Sequence, residues 1–157
     1  MDTLTPFQTV GPFLSIGLRA GIDARAASLA GSPIVIRGRL LDGAGEGIPD
    51  GVLEWWHPSF PAMQRTLTED DGGFVLETVK PGGLQAAEGE GQAPHLAVRV
   101  LARGVLTQYV TRVYFADEAQ ANAGDRILAL VPESRRQTIV ASPCGVNEYR
   151  FDVIVQL

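Results

Sequence analysis

From Ile34 onward the chain alternates apolar and polar residues with a period of two. In IVIRGRLLD, residues Ile34, Ile36, Gly38 and Leu40 fall on one side while Arg37 and Arg39 fall on the other. That is the pattern of a strand with one buried face. Turn chemistry in GAGEGIPDG interrupts it, and VLEWW resumes as a strand whose Trp55 and Trp56 point to opposite faces, one to the core and one to a rim or an interface. QRTLTEDDGGFVLETVKPGG predicts a hairpin: a strand, an Asp-Asp-Gly-Gly turn, a second strand and a Pro-Gly stop. HLAVRVLA and LTQYVTRVYF predict two more strands about Arg103-Gly104. DEAQANAG suits a short helical excursion, DRILALV fits either strand or helix, and RQTIVAS and YRFDVIVQL close the chain as strands. Seven to nine strands at this spacing, with no long helical period and no repeat, predict an all-β fold. The expected architecture is a β-sandwich of about eight antiparallel strands over residues 34–157.

The first 33 residues break the pattern. Pro6, Gly11, Pro12, Gly17, Gly21, Gly31 and Pro33 predict an irregular arm, with a helical turn or two over Asp23 to Ala30. Leu4, Phe7, Phe13 and Leu14 give this arm apolar residues to bury, so it is expected to lie on another surface, its own domain's or a partner's.

Composition narrows the function. The 157 residues suffice for one domain with a sizeable core, and a formal net charge of -5 without a Lys/Arg cluster argues against a nucleic-acid binder. No apolar run approaches a membrane span, and the N-terminus has no signal-peptide pattern. Cys144 is the single cysteine, so no internal disulfide can form. These features predict a soluble, cytoplasmic domain. The run Glu69-Asp70-Asp71 ahead of Gly72-Gly73 reads as turn chemistry rather than an acid/base or calcium site. GxSxG, CxxC, HExxH and a phosphate-binding glycine loop are all missing.

Six segments, in order, carry a resemblance: TPFQTVGPF, VLEWWHP, RTLTEDDGGFVLETVKPG, APHLAVRVLARG, TRVYFADEAQANAG and YRFDVIVQL. Together they span nearly the whole chain, and the set resembles the intradiol ring-cleaving dioxygenases. LARG, TRVYF, DEAQANA and YRFDV are most similar to the α subunits of the protocatechuate 3,4-dioxygenase branch. The resemblance implies a non-haem Fe(III) held by two tyrosines and two histidines, the histidines as His-x-His on one strand face. Here His95 matches the first histidine and Ala97 stands at the second. Gly83-Leu84 follow the Lys-Pro-Gly turn where a ligand tyrosine is expected, and the loop HPSFPAMQ holds no tyrosine. Tyr109, Tyr114 and Tyr149 lie inside predicted strands. One imidazole cannot hold iron or zinc, so no metal ligand is assigned in this chain and Fe(III) is expected on an iron-bearing β subunit.

For an α subunit the resemblance implies a share in the substrate cavity, through Thr9, Gly11 and Pro12 of the arm and Arg112 of TRVYF. Phe13 could pack along the substrate ring. The reaction implied is cleavage of protocatechuate by O2 to 3-carboxy-cis,cis-muconate, with no catalytic residue in this chain alone. Glycine admits a planar ligand close to the backbone, and a permanent guanidinium pairs with a carboxylate or with anionic oxygens. Each assignment has a plainer alternative. Gly11-Pro12 also reads as a simple turn, Arg112 as a solvated or ion-paired strand arginine, and His95 as a hydrogen-bonded structural histidine. His57 has no serine or cysteine constellation around it. The compact loops HPSFPAMQ and LQAAEGEGQ leave open a second reading, a degenerate sandwich acting as a binding or scaffold module.

Overall fold

The computed structural model describes residues 4–19, 30–58, 62–85 and 91–155. Nine strands form in chain order: β1 (Pro33–Leu41), β2 (Val52–His57), β3 (Ala62–Leu67), β4 (Gly73–Val79), β5 (His95–Leu101), β6 (Tyr109–Phe115), β7 (Val140–Gly145), β8 (Glu148–Arg150) and β9 (Val153–Ile154). Their order across the sheet is β3-β2-β5-β6-β7-β8-β1-β4, with β9 paired to β1. The arrangement is an all-β sandwich. One layer is β3-β2-β5-β6 and the other is β4-β1-β8. Strand β7 joins them, running parallel to β6 and antiparallel to β8.

Alternation builds the core. Along β1, Ile34, Ile36, Gly38 and Leu40 are buried, as the period-two pattern predicts. They meet Leu53 and Trp55 of β2, Phe74 and Leu76 of β4, and Leu96, Val98 and Val100 of β5. Trp55 is in the core and Trp56 is 46% exposed, so the two tryptophans divide between faces as expected. Gly38 is required by packing, since a Cβ there would overlap the Phe151 carbonyl of the chain crossing above it.

Two expectations change. Pairing is antiparallel for most strands but parallel for β1 with β8, β1 with β9, and β6 with β7, because helices and turns separate these strands in sequence. The predicted hairpin around Asp-Asp-Gly-Gly does not form. The turn itself is tight: the Gly72 amide donates to the Glu69 carbonyl at 2.8 Å and the Glu69 amide to the Gly73 carbonyl at 2.9 Å. Beyond it, however, β3 pairs with β2 and β4 pairs with β1. The chain changes layers at this turn. Gly72, at φ +79, sits where a side chain would strike the Leu40 carbonyl, and the Arg39 guanidinium donates to the Asp71 carbonyl at 3.0 and 2.7 Å. These contacts to β1 and its following loop draw β4 away from β3. Side chains reach across the gap: Gln64 donates to the Glu77 carbonyl at 2.8 Å, and Thr78 donates to Gln64 at 2.6 Å.

The helical excursion falls where DEAQANAG predicts it, as a 3₁₀ turn at Ala116–Glu118 followed by a helix at Ala119–Ala123. The ambiguous DRILALV is helical over Arg126–Leu130, with Asp125 as its N-cap. RQTIVAS is strand only from Val140, after a helical turn at Glu133–Arg136 and a 3₁₀ turn at Gln137–Ile139. The arm is less irregular than predicted, since Phe13–Leu18 form a helical segment that opens on Pro12. Proline's fixed φ suits that position. The turn expected over Asp23 to Ala30 lies, apart from Ala30, outside the described residues. Among the described residues no helix is long and apolar enough to cross a membrane.

Candidate functional site

The outer face of β3-β2-β5-β6 carries the chemistry. Residues pointing away from the core are Met63 and Arg65 on β3, Glu54 and Trp56 on β2, His95, Ala97 and Arg99 on β5, and Val110, Arg112 and Tyr114 on β6. Register aligns Met63, Trp56, Ala97 and Arg112 in one row across the sheet. The next row is Arg65, Glu54, Arg99 and Val110.

Glu54 is 5% exposed and is clasped from both sides, by Arg65 at 2.8 Å and Arg99 at 3.2 Å. Arg99 also donates to Gln108. Two cations on one buried carboxylate offset the cost of taking it out of water.

Arg112 is half-buried and held by a chain of polar partners. Its Nη1 donates to Gln92 Oε1 at 2.9 Å and to the Tyr114 hydroxyl at 3.2 Å. The Tyr114 hydroxyl in turn donates to Asp125 Oδ1 at 3.3 Å. Asp125, 1% exposed, also accepts the Leu128 amide and the Ala93 amide, each at 2.8 Å. Tyr114 is fully buried although it points outward, because Leu128, Ala93, Ile139 and Val140 pack over it. Burial pushes its phenol up, with the Arg112 charge opposing, so the hydroxyl keeps its proton.

His95 lies on the same face, its ring 5.6 Å from that of Tyr114. It is 3% exposed, and its Nδ1 lies 2.8 Å from the Ala93 carbonyl. A carbonyl can only accept, so the proton is on Nδ1 and Nε2 carries the free lone pair. Burial lowers its pKa, the Ala93 contact opposes, and the Arg112 charge lowers it further. This is how a metal-binding histidine is oriented. Its neighbour on the face is Ala97, a methyl group, and the nearby Tyr114 hydroxyl is committed to Arg112 and Asp125. The donor set does not fit an iron site, and no group of three His, Cys, Asp or Glu side chains that could hold a metal ion occurs among the described residues. His57 is buried too, its pKa lowered chiefly by burial, with a backbone hydrogen bond at Val79 opposing.

The arm residues sit elsewhere. Thr9 is anchored on the β5–β6 turn: its hydroxyl accepts the Gly104 amide at 2.8 Å and lies 3.4 Å from the Ala102 carbonyl. Gly11 faces open space, Pro12 caps the arm helix, and Phe13 is 78% exposed. The hydrogen bonds among the described residues do not link these four residues to Arg112. A cavity of about 840 Å³ lies between the edges of β3 and β4, where Arg37, Arg39 and Arg150 are among its lining residues; it meets the Glu54 cluster at Arg65 but is not lined by Arg112, Tyr114 or His95. The covered sheet face is the stronger guide to the site, because its polar side chains are buried and hydrogen-bonded to one another.

No family model matches the sequence. Curated relatives do. The chain is 39% identical over 191 aligned positions to the protocatechuate 3,4-dioxygenase alpha chain of Burkholderia cepacia, covering 99% of this chain and 95% of the relative. The chain belongs to the protocatechuate 3,4-dioxygenase alpha-chain family. The alpha chain of Pseudomonas putida is 36% identical, with 97% of this chain and 91% of the relative covered. Among solved structures, hydroxyquinol 1,2-dioxygenase from Pseudomonas putida superposes with a TM-score of 0.69 at 16% identity, over 99% of this chain and 68% of that one. The 191 aligned positions exceed the 157 residues here, so the Burkholderia alpha chain carries segments that this chain lacks.

Sequence reasoning missed Asp125, Gln92 and the Glu54 cluster. Asp125 had a local signal, as an aspartate ahead of a possible helix. Its bonds to Ala93 and Tyr114 are long-range and had none.

Proposed function

We propose that this chain is the iron-free subunit of a hetero-oligomeric protocatechuate 3,4-dioxygenase and completes a substrate cavity shared with an iron-bearing β subunit. The observation that carries the iron-free role is Ala97 beside His95 on one strand face: a single oriented imidazole with no second ligand. The substrate, protocatechuate, is cleaved with O2 to 3-carboxy-cis,cis-muconate. Activation of the substrate would come from Fe(III) held by the partner, and this chain's part is positioning. Arg112 presents a guanidinium to the anionic substrate, and Thr9, Gly11, Pro12 and Phe13 supply a wall from the arm.

Residues 1–33 act as a docking arm and residues 34–157 as the sandwich domain. Support for docking comes from the arm's uncovered apolar side chains, Leu4, Phe7, Phe13 and Ile16, at 92%, 75%, 78% and 62% exposure. Such a run is costly in water and is offset by a partner surface. The free, exposed Cys144 accords with the reducing cytoplasm in which we place the complex.

Co-expression with an iron-ligand-bearing homologue tests this directly. A stable heteromer, iron in the complex, and protocatechuate cleavage that falls when this chain is omitted are the expected results. No heteromer, or activity indifferent to this chain, would leave the scaffold reading in its place. Iron bound stoichiometrically by this chain alone would refute the iron-free role.

A further inference from the structure

The Arg112 guanidinium is not simply a surface charge on a strand, because three elements converge to hold it. Gln92 belongs to a short bridge with Leu84, closed by backbone bonds of 2.8 and 3.0 Å, which fixes where its amide can reach. Tyr114 lies two residues along the same strand face. Asp125 comes from the N-terminus of the Arg126–Leu130 helix.

The order of donors gives this chain a direction. A tyrosine hydroxyl has one proton and two lone pairs. Its proton goes to Asp125, so a lone pair is left for Arg112. Asp125 cannot turn away, because two backbone amides already hold its carboxylate. The carboxylate therefore orients the hydroxyl, and the hydroxyl holds the guanidinium. Both links in this chain, at 3.2 and 3.3 Å, are near the long end for hydrogen bonds, so neither is strong alone. Their value lies in limiting the rotamers of a long side chain that otherwise carries substantial conformational freedom.

The geometry points to Tyr114 and Gln92 as positioning residues that hold the Arg112 guanidinium, with Asp125 as the buried anchor of the tyrosine. This rests on the proposed role of Arg112 in the shared cavity. Neither residue touches the substrate in this scheme. They reduce the ordering cost that Arg112 would otherwise incur on meeting an anionic ligand.

The test uses the assembled complex with its iron-bearing partner and protocatechuate as substrate. Tyr114→Phe removes only the hydroxyl. It is expected to raise KM about fivefold with kcat within about twofold, at unchanged iron content and complex mass. In an Arg112→Ala background the same substitution is expected to have no further effect on KM. A purely structural tyrosine would give the same change in both backgrounds, and that result would overturn the inference. Gln92→Ala cuts the other hold on the guanidinium and is expected to raise KM in the same direction, which keeps the test decisive if Tyr114→Phe fails to assemble. If Arg112→Ala raises KM while neither Tyr114→Phe nor Gln92→Ala does, the positioning role is wrong and the proposed function survives. If Arg112→Ala itself changes neither KM nor kcat, the role of Arg112 fails first and takes this inference with it.

Discussion

The two layers of the sandwich turn similar faces to the outside and use them differently. On β4-β1-β8 the outward residues include Arg37, Val75, Glu77 and Arg150, all exposed, with Arg150 paired to its near neighbour Asp152. On β3-β2-β5-β6 the outward residues include Glu54, His95 and Tyr114, all buried: Glu54 and Tyr114 are locked to partners from other elements, and His95 is held by the Ala93 carbonyl just before its strand, beside the Tyr114 ring. Both faces follow the same period-two rule. The second differs because the segment from Ala116 to Val140 folds back over its β6 edge and because arginines close over Glu54. A polar residue under cover must find partners, and those partners define its geometry. Chemistry therefore accumulates on the covered face.

The comparison can be broken most severely at Asp125. Replacing it with alanine strands two backbone amides and the Tyr114 hydroxyl, and is expected to cost about 3 kcal/mol of stability, read from urea unfolding. A loss under about 1 kcal/mol would mean the cover over β6 does not depend on this carboxylate. Next is Glu54→Ala, which leaves Arg65 and Arg99 facing each other. The arginine side chains are 32% and 40% exposed, so solvent screens them and the expected loss is about 2 kcal/mol. Adding salt should reduce the gap between Glu54→Ala and the parent, since the repulsion left behind is screened.

A smaller effect comes from pH. Burial lowers the pKa of both His57 and His95 below 6.5, while the unfolded chain takes up protons at that ordinary value. The neutral histidines therefore contribute stability that is fully present above about pH 6.5 and lost as pH falls through their folded values. Around His95 the Arg112 charge works with burial, while Asp125 and the Ala93 contact oppose them. Unfolding midpoints measured from pH 7.5 downwards should fall, and a His95→Gln variant should show a shallower fall. An identical slope in that variant would remove His95 from the account. The smallest effect is predicted on the uncovered face, where Arg37→Ala should leave the urea midpoint unchanged within error. A clear destabilisation there would show that the outer layer is not the passive surface the contrast requires.

Much of this contrast is legible in the amino-acid order, and the division is physical. Ile34, Ile36 and Leu40 as core, Trp55 in and Trp56 out, the tight turn at Asp71-Gly72, and the methyl group at Ala97 all follow from local alternation, turn chemistry or residue identity. The hairpin expected around that turn failed because strand pairing is a competition between distant segments. Here Arg39 bonded to the Asp71 carbonyl, and Leu40 bonded to the Gly72 carbonyl, settle β4 on β1. Asp125, Gln92 and the clasp on Glu54 were hidden for the same reason.

By itself the sequence determined a β-sandwich, the family it resembles, and the missing second histidine, since each is carried by residues near one another or by their type. Tertiary structure alone decided that β3 and β4 part between layers, that Tyr114 is buried on an outward face, and that Arg112 is held from Asp125. Those outcomes depend on which distant groups meet, and a buried donor or acceptor accepts whatever partner the fold brings to it.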